Sequence, residues 1–388
     1  MKFLDLRHVH FDDNSNVIDP GIPLVNPDYY SFIETGKGDD RLIGTDHVHS
    51  DFGVGALVGA AGKNINSVIA STEFSSSFNV AAKGINNDGI IRTEAGPDIV
   101  KGSATSNISA VAQSVSQAIA IADAADTNVI TNAFASIEVK STADGIDNSG
   151  GEIDNGHGDD GISGNTEGSV GAVATATADA SAIVEAIAEA PVSDGVTAIA
   201  GAFAQSLAQA TIIGRGINNK NGLITTDLGG DTITATATSS AATLSQSAAI
   251  ALSTATPGNK AAAQSVANAF AQVEDKAIAI DNTNGEILTG NEEDKLTAEA
   301  KGTNSYGISG GKIYMSFGDD ILTGKAEGTN SYGIFESYID MGNERDTLTA
   351  EAKGTNSYGI SGGDIYMSYG EDILTGKASG TNSHGIFE

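Results

Sequence analysis

Between residues 296 and 386 one line is written four times at a spacing of 26 residues: LTAEAKGTNSYGI, LTGKAEGTNSYGI, LTAEAKGTNSYGI and LTGKASGTNSHGI. Nearly everything is kept except one Glu/Lys pair, which changes places at each return. Within a line Leu296, Ala298 and Ala300 alternate with Thr297, Glu299 and Lys301, and Ile313 and Met315 alternate with Lys312, Tyr314 and Ser316. Short runs of strict alternation broken by Gly, Asn, Ser and Asp are half-buried strands joined by turns. Strands repeating at 20 to 50 residues without helix are the mark of a solenoid, one coil per repeat. Stacked coils place residue n over residue n−26, about 4.8 Å away. Glu299, Lys325, Glu351 and Lys377 then form one outer column, and Lys301, Glu327, Lys353 and Ser379 the next. Alternating charges attract at that spacing where like charges repel, at ~0.2–1 kcal/mol per exposed pair. The exchange therefore fixes register and penalises a slip of one coil, though not of two.

Other columns follow. Asn304, Asn330, Asn356 and Asn382 predict an amide ladder at a turn. Tyr306, Tyr332, Tyr358 and His384 predict an aromatic ladder, and Ile308, Ile334, Ile360 and Ile386, with Met315, Met341 and Met367, point inward. The punctuation continues upstream. An Asp stands two residues before an inward aliphatic at Asp40/Leu42, Asp98/Val100, Asp160/Ile162, Asp231/Ile233, Asp294/Leu296, Asp320/Leu322, Asp346/Leu348 and Asp372/Leu374, and Gly or Ala follows two positions later. The lines KGINNDGI, DGIDNSGGEI, RGINNKNGLI and AIDNTNGEI match GISGGKI. The expected fold is all-β: a right-handed parallel β-solenoid of about eight coils. Residues 1–33 form a docking or capping segment, 34–281 coils with long insertions, and 282–388 the regular coils.

The insertions are rich in Ala and Ser. From Val170 to Ala190 every even position is Ala or Val, and after PVSDG the alternation resumes at Val196. Ala favours helix, but the period is 2 and not 3.6. Each insertion is expected to be a β-hairpin arm of two strands reaching about 65 Å. Its Ala/Ser face suits close sheet packing, and its other face, with Phe134, Phe203 and Phe270, is expected to be buried as well.

The loops ahead of the aliphatic column read GKGDDRLIG, GHGDDGISG, LGGDTITA, FGDDILTG and YGEDILTG. They resemble the hemolysin-type (RTX) nonapeptide G-G-x-G-x-D-x-U-x over about nine residues per coil, without that family's tandem spacing. The resemblance implies bound Ca²⁺, with Asp39, Asp40, Asp159, Asp160, Asp231, Asp294, Asp319, Asp320, Asp346, Glu371 and Asp372 as candidate ligands. Glu293 is a further neighbouring acid, and Asp98, behind Pro97 and without a second acid, is the weakest position. Hard oxygen donors on Gly-rich turns suit Ca²⁺. An equally open reading has each Asp cap its own corner by accepting backbone N–H bonds. Two His-x-His pairs, His8/His10 and His47/His49, lack a third ligand at a defined spacing and read as exposed strand residues rather than a Zn²⁺ site.

The formal charge of −30 argues against nucleic acid and anionic membranes as partners. No apolar stretch reaches the ~20 residues of a membrane span, and MKFLDLRHVHFDD has no apolar signal-peptide core. Arg and His are sparse, the acids are spread through the repeats, and no P-loop, nucleophile elbow or dinucleotide fingerprint is present; an enzyme is not expected. The chain stops at GIFE, partway through a coil, and Phe3-Leu4-Asp5-Leu6 has the pattern of Tyr338-Ile339-Asp340-Met341. These observations suggest a bacterial extracellular or cell-surface structural protein that self-assembles head to tail, the N-terminal strand of one copy completing the last coil of the next. Alternatives are the stalk of an RTX-like adhesin, carbohydrate or ice binding by Thr-rich strands such as TATAT (234–238), and, remotely, a β-helix polysaccharide enzyme.

Overall fold

The computed structural model describes residues 2–28, 30–63, 67–123, 126–185, 197–255 and 260–387. The described residues are strands and turns without helix, and every ladder between strands is parallel. Each coil has three strand positions. The first lies in a nine-stranded sheet running from Val17–Ile18 to Ile373–Ser379. The second and third, a return strand and a short strand, belong to a 17-stranded sheet. Three aliphatic columns result. Leu42, Val100, Ile162, Ile233, Leu296, Leu322 and Leu348 form the first. Ile85, Ile146, Ile217, Ile280, Ile308, Ile334 and Ile360 form the second. Ile33, Ile91, Ile153, Ile224, Ile287, Ile313 and Ile339 form the third. All are buried in one continuous core, each worth about 1.5–3 kcal/mol of transfer free energy. The registers reproduce the 26-residue coil, and the exchanged charges meet as expected: Lys325 reaches Glu299 at 3.1 Å, Lys353 reaches Glu327 at 3.7 Å and Lys377 reaches Glu351 at 3.3 Å.

Two residues beyond the first aliphatic column the two sheets pinch together. A side chain built on Gly102 would run into the carbonyl oxygen of Gly145, and the same holds for Gly164 against Gly216 and Gly324 against Gly333. This seam is why Gly or Ala recurs there: main chain touches main chain, and the triangular core ends. Beyond it the regular coils turn back at once, through Gly302 and Thr303.

In the four upstream coils the strands run on as arms. The outward strands are Arg41–Lys63, Ile99–Asp123, Gly161–Glu185 and Thr232–Ala255. The return strands are Ser67–Asn87, Thr127–Asp147, Thr197–Asn218 and Lys260–Asp281. The period-2 reading holds. The pairing differs from that of a simple hairpin: the two strands of one arm lie in different sheets, and each bonds its counterpart in the coil above and below. The arms thus form a flat slab of two parallel sheets, with Ala110, Ala172, Ala174, Ala200, Ala202 and Ala208 among the residues between them. Sheets ordinarily stand about 10 Å apart; here Ser116 Oγ donates to the Ala70 carbonyl at 2.8 Å and Ser253 Oγ to the Ala198 carbonyl at 2.7 Å, each crossing to the opposite sheet. Only small side chains permit that approach. The other face is not buried as expected: Phe203 is 39% and Phe270 55% exposed, because it is the outside of the slab. The stretch from Ala186 to Val196, part of the predicted alternation, lies outside the described residues.

The N-terminal segment is itself a small coil. Val17–Ile18 stacks on Arg41 and Leu42, Leu24–Asn26 on Ile85 to Asn87, and Phe32–Glu34 on Ile90 to Arg92. The matching of Phe3–Leu6 to Tyr338–Met341 does not hold. Leu4 pairs with Leu24 and so stands in the column of Ile334 and Ile386, while Val9 occupies the column of Ile339. The spacing from Asn16 to Ile18 copies that from Asp40 to Leu42, a signal the sequence reading passed over.

Candidate functional site

The acidic column occupies the corner before the first strand. Its inner members, Asp40, Asp98, Asp160, Asp231, Asp294, Asp320 and Asp346, are buried, although each is a carboxyl group. The fold tolerates them through a ladder of bonds from one coil to the next. The backbone N–H of Asp40 donates to Asp98 Oδ1 at 2.7 Å, that of Asp98 to Asp160 at 2.8 Å, and that of Asp160 to Asp231 at 2.9 Å. The run continues through Asp294, Asp320, Asp346 and Asp372 at 2.8–3.0 Å. At the other end the Asn16 N–H donates to Asp40 at 2.7 Å. Each aspartate therefore caps the corner of the preceding coil, not its own. Its second oxygen, Oδ2, is buried from Asp40 through Asp346 without a partner of good hydrogen-bond geometry, although the side chains of Thr93, Thr226 and Thr289 act on Asp98, Asp231 and Asp294 to oppose the loss of charge.

A carboxylate with one oxygen dry and unbonded favours its neutral form. Burial pushes Asp98, Asp294 and Asp346 up to about 6, Asp160 to about 7 and Asp320 to about 8. Asp231 moves the same way for the same reason. Backbone N–H bonds oppose the shift, and neighbouring rungs of like charge reinforce it. The neighbour across the corner, five residues earlier, is Thr93, Asn155, Thr226 or Thr289 in the arm-bearing coils and their successor, and Met315 or Met341 above them.

The outer acids do something else. Asp39, Asp159, Glu293 and Glu371 are exposed. Asp159 accepts the Gly230 N–H at 3.1 Å, and Asp319 takes Arg345 at 2.6 Å. Inner and outer acids do not converge: among the described residues no three His, Asp or Glu side chains gather as a metal-ligand cluster. Ca²⁺ asks for six to eight oxygens around one point. The corner offers one dry carboxylate oxygen per coil, beside Met315 and Met341 in the later coils, which does not fit that shell. Of the two readings left open above, the geometry matches the turn cap, moved by one coil. His8 and His10 both pack edge-on against Phe32, His10 pairs with Glu34 at 2.8 Å, and His49 lies 3.5 Å from Asp51.

Two amide ladders accompany the acidic one. The predicted ladder is present, Asn330 to Asn304 at 2.7 Å, Asn356 to Asn330 at 2.9 Å and Asn382 to Asn356 at 3.3 Å. A second, fully buried ladder was missed: Asn26, Asn87, Asn148, Asn219 and Asn282, joined amide to amide at 2.7–2.8 Å. Each also donates to a backbone carbonyl, as Asn87 does to Glu152 at 2.9 Å. Its signal was in the quoted lines, an Asn two residues after each inward Ile. The column that carries the aromatic ladder starts with alternating charge at Lys83, Asp144 and Arg215 and passes through the buried Ile278. Arg215 grips Asp144 through two bonds, at 2.7 and 3.2 Å. The column then changes to rings, with Tyr306, Tyr332 and Tyr358 stacked at 5.0 and 5.1 Å and His384 at 5.5 Å. Ring faces stacked on each other are not free to stack on a sugar.

Taken together, these groups hold coil to coil along the whole rod. Compared with protein families, curated proteins and solved structures, the chain matches none.

Proposed function

We propose that this protein is a structural element: a stiff, extracellular or surface-located bacterial β-rod that assembles with further copies of itself, end to end, into filaments or a layer. One observation carries the reading. Five kinds of ladder (acid, amide, aromatic, charge and aliphatic) repeat in register from coil to coil, and their groups bond to each other instead of converging on a recess. The chemistry of the chain is used up in stacking. The same rows run without a break from Val17–Ile18 to Ile373–Ser379 in one sheet and from Leu24–Asn26 to Ser383–Phe387 in the other. A parallel ladder is a template for a further strand. The reading rests on the ladders and needs no calcium, since the acidic corner offers one buried carboxylate oxygen per coil rather than a shell of six to eight.

Electron microscopy of the full chain, with and without a chelator, tests the proposal. Filaments that persist in chelator support it. Isolated rods at every concentration would refute end-to-end assembly, and filaments that dissolve on chelation would return calcium to the acidic corner. Deleting residues 1–12 removes the first two strands, which form the outer row at one end, and filaments that survive this deletion unchanged would place the junction elsewhere.

A further inference from the structure

The slab of arms ends abruptly. The last outward strand, Thr232–Ala255, pairs along its length with Gly161–Glu185 on one side. On the other it pairs with Lys295–Lys301 only as far as Thr238. Its return strand, Lys260–Asp281, meets Asn304–Ser309 only from Lys276 onward. Ser239–Ala255 and the facing part of the return strand are therefore open edges on both sheets, about 56 Å long at ~3.3 Å per residue. Thr232 N–H donates to Asp160 and Asp231 accepts from Lys295, so alternation turns the N–H and C=O of the odd-numbered residues toward the open side.

Soluble proteins guard such edges with charge, proline or a bulge. The opposite edge of the slab, Arg41–Lys63 and Ser67–Asn87, carries Asp46, His47, His49, Asp51, Lys63 and Glu73. The edge next to the short coils has no charged residue from Ser239 to Ala255, and the return strand carries Lys260 at the arm end and Glu274 and Asp275 beside the short coils, with none between. It has no proline within either strand. Leu244 is 48%, Ile250 59% and Leu252 56% exposed along it.

We propose that a second copy of this chain covers this edge. Ser239–Ala255 of one copy pairs antiparallel with the same segment of the other, and the return strands do likewise, about a two-fold axis normal to the slab. Three features favour that occupant. A chain of formal charge −30 repels its own kind over most of its surface, and this strip is free of charge from Ser239 to Ala255 and from Ala261 to Val273. The step beside the edge fits: it is as tall as the four short coils, ~19 Å at about 4.8 Å each, and the slab that would fill it is four arms thick, the same ~19 Å. A two-fold across the slab lets each copy's arms fill the other's step, whereas one along the arms would drive the two sets of short coils together. Lastly, the strip of ~56 by ~10 Å, with the arm ends against the short coils, approaches the ~800 Å² per partner of a standard interface. The contact is lateral and closed, distinct from end-to-end stacking, and stands whether or not that stacking occurs.

Light scattering on the size-fractionated full chain tests this. The expected species has twice the monomer mass and persists in high salt. Ile250→Lys, on the exposed outer face, sets an ammonium opposite the exposed Leu244 of the second copy in this register and should return a folded monomer. Ala249→Pro, at a residue whose N–H faces the open side and is unused within the chain, should do the same by removing a donor. Val54→Lys on the opposite edge should leave the dimer intact. A monomeric wild type, or a dimer indifferent to both Ile250→Lys and Ala249→Pro, overturns the proposal. So does an open-ended polymer that neither variant shortens to single or paired rods, because end-to-end contacts alone would then explain the association.

Discussion

The acidic ladder should make this protein less stable as the pH rises from 5 to 8, against the usual behaviour of an acidic protein with paired carboxylates. The sign follows from the direction of the shifts. Asp98, Asp160, Asp294, Asp320 and Asp346 hold a proton more tightly folded than unfolded. Their contribution to stability is complete below the unfolded value of 3.8 and is lost as pH climbs through about 6 to 8. Each proton held only by the folded state changes stability by 1.36 kcal/mol per pH unit. Asp320, raised from 3.8 to about 8, would alone account for ~5 kcal/mol between pH 4 and 8. Rungs one coil apart titrate together, since a proton on Asp320 relieves Asp294 and Asp346. With protons on alternate rungs only, two or three are held near pH 5.5, and the slope is about −3 to −4 kcal/mol per pH unit.

Urea unfolding at half-unit steps of pH, at constant ionic strength, measures this slope. Ordinary carboxylates titrate near pH 4 and drop out above pH 5, but Asp144, which burial raises to about 6, titrates in the same window, so a ladder variant is needed to assign the slope. Asp320→Asn supplies the control. The amide keeps Oδ1 as acceptor for the Asp294 N–H and cannot ionise. A dry NH₂ costs about 1–3 kcal/mol at every pH, which moves the whole curve but not its slope. The slope should become shallower by about 1.4 kcal/mol per pH unit, and the variant should overtake the wild type toward pH 8. A flat profile, or one that Asp320→Asn does not alter, refutes the protonated ladder. A profile that rises with pH and collapses in chelator would mean that a metal ion holds the ionised carboxylates, because ligands must deprotonate to bind it.

Other consequences are simpler to state. Exchanging one pair, Lys325→Glu with Glu327→Lys, sets a third glutamate between Glu299 and Glu351 and a third lysine between Lys301 and Lys353; stability should fall by about 0.5–2 kcal/mol, and salt titration should recover most of it. Asn148→Ala removes both bonds its amide makes and leaves the buried Asn87 amide without its acceptor; a loss of about 2–4 kcal/mol is expected in denaturant unfolding. Gly102→Val would force the seam apart against the Gly145 carbonyl, and hydrogen exchange should show the arms deprotected while the coils of residues 295–387 stay protected.

What the sequence disclosed and what it hid divide along one physical line. Everything governed by translation from coil to coil was legible, because a stacked solenoid puts chemically matched residues into columns, and columns appear in a sequence as periodicity. The charge exchange at Glu299 and Lys325, the ladder from Asn304 and the buried Asp column were readable for that reason. What lies across the coil was not. No period says that Ala172 and Ala208 belong to facing sheets, that Phe203 and Phe270 look outward, or that an aspartate caps the coil before it instead of its own corner. These depend on which of two alternating faces turns inward, and in the arms both faces are apolar enough to pass. The deciding quantity was side-chain size. Ala and Ser let the two sheets close to where Ser116 meets the Ala70 carbonyl, while Ile108, Ile137 and Ile212 on the same inward faces pack nearer the coils. The same comparison bears on the open edge. Ser239–Ala255 keeps the small face that its covered neighbours have, together with an outer face bearing Leu244, Ile250 and Leu252, and it lacks the charges that guard the opposite edge. A strand built to that pattern has the composition of an interior strand, and the structure leaves it at the border of the slab.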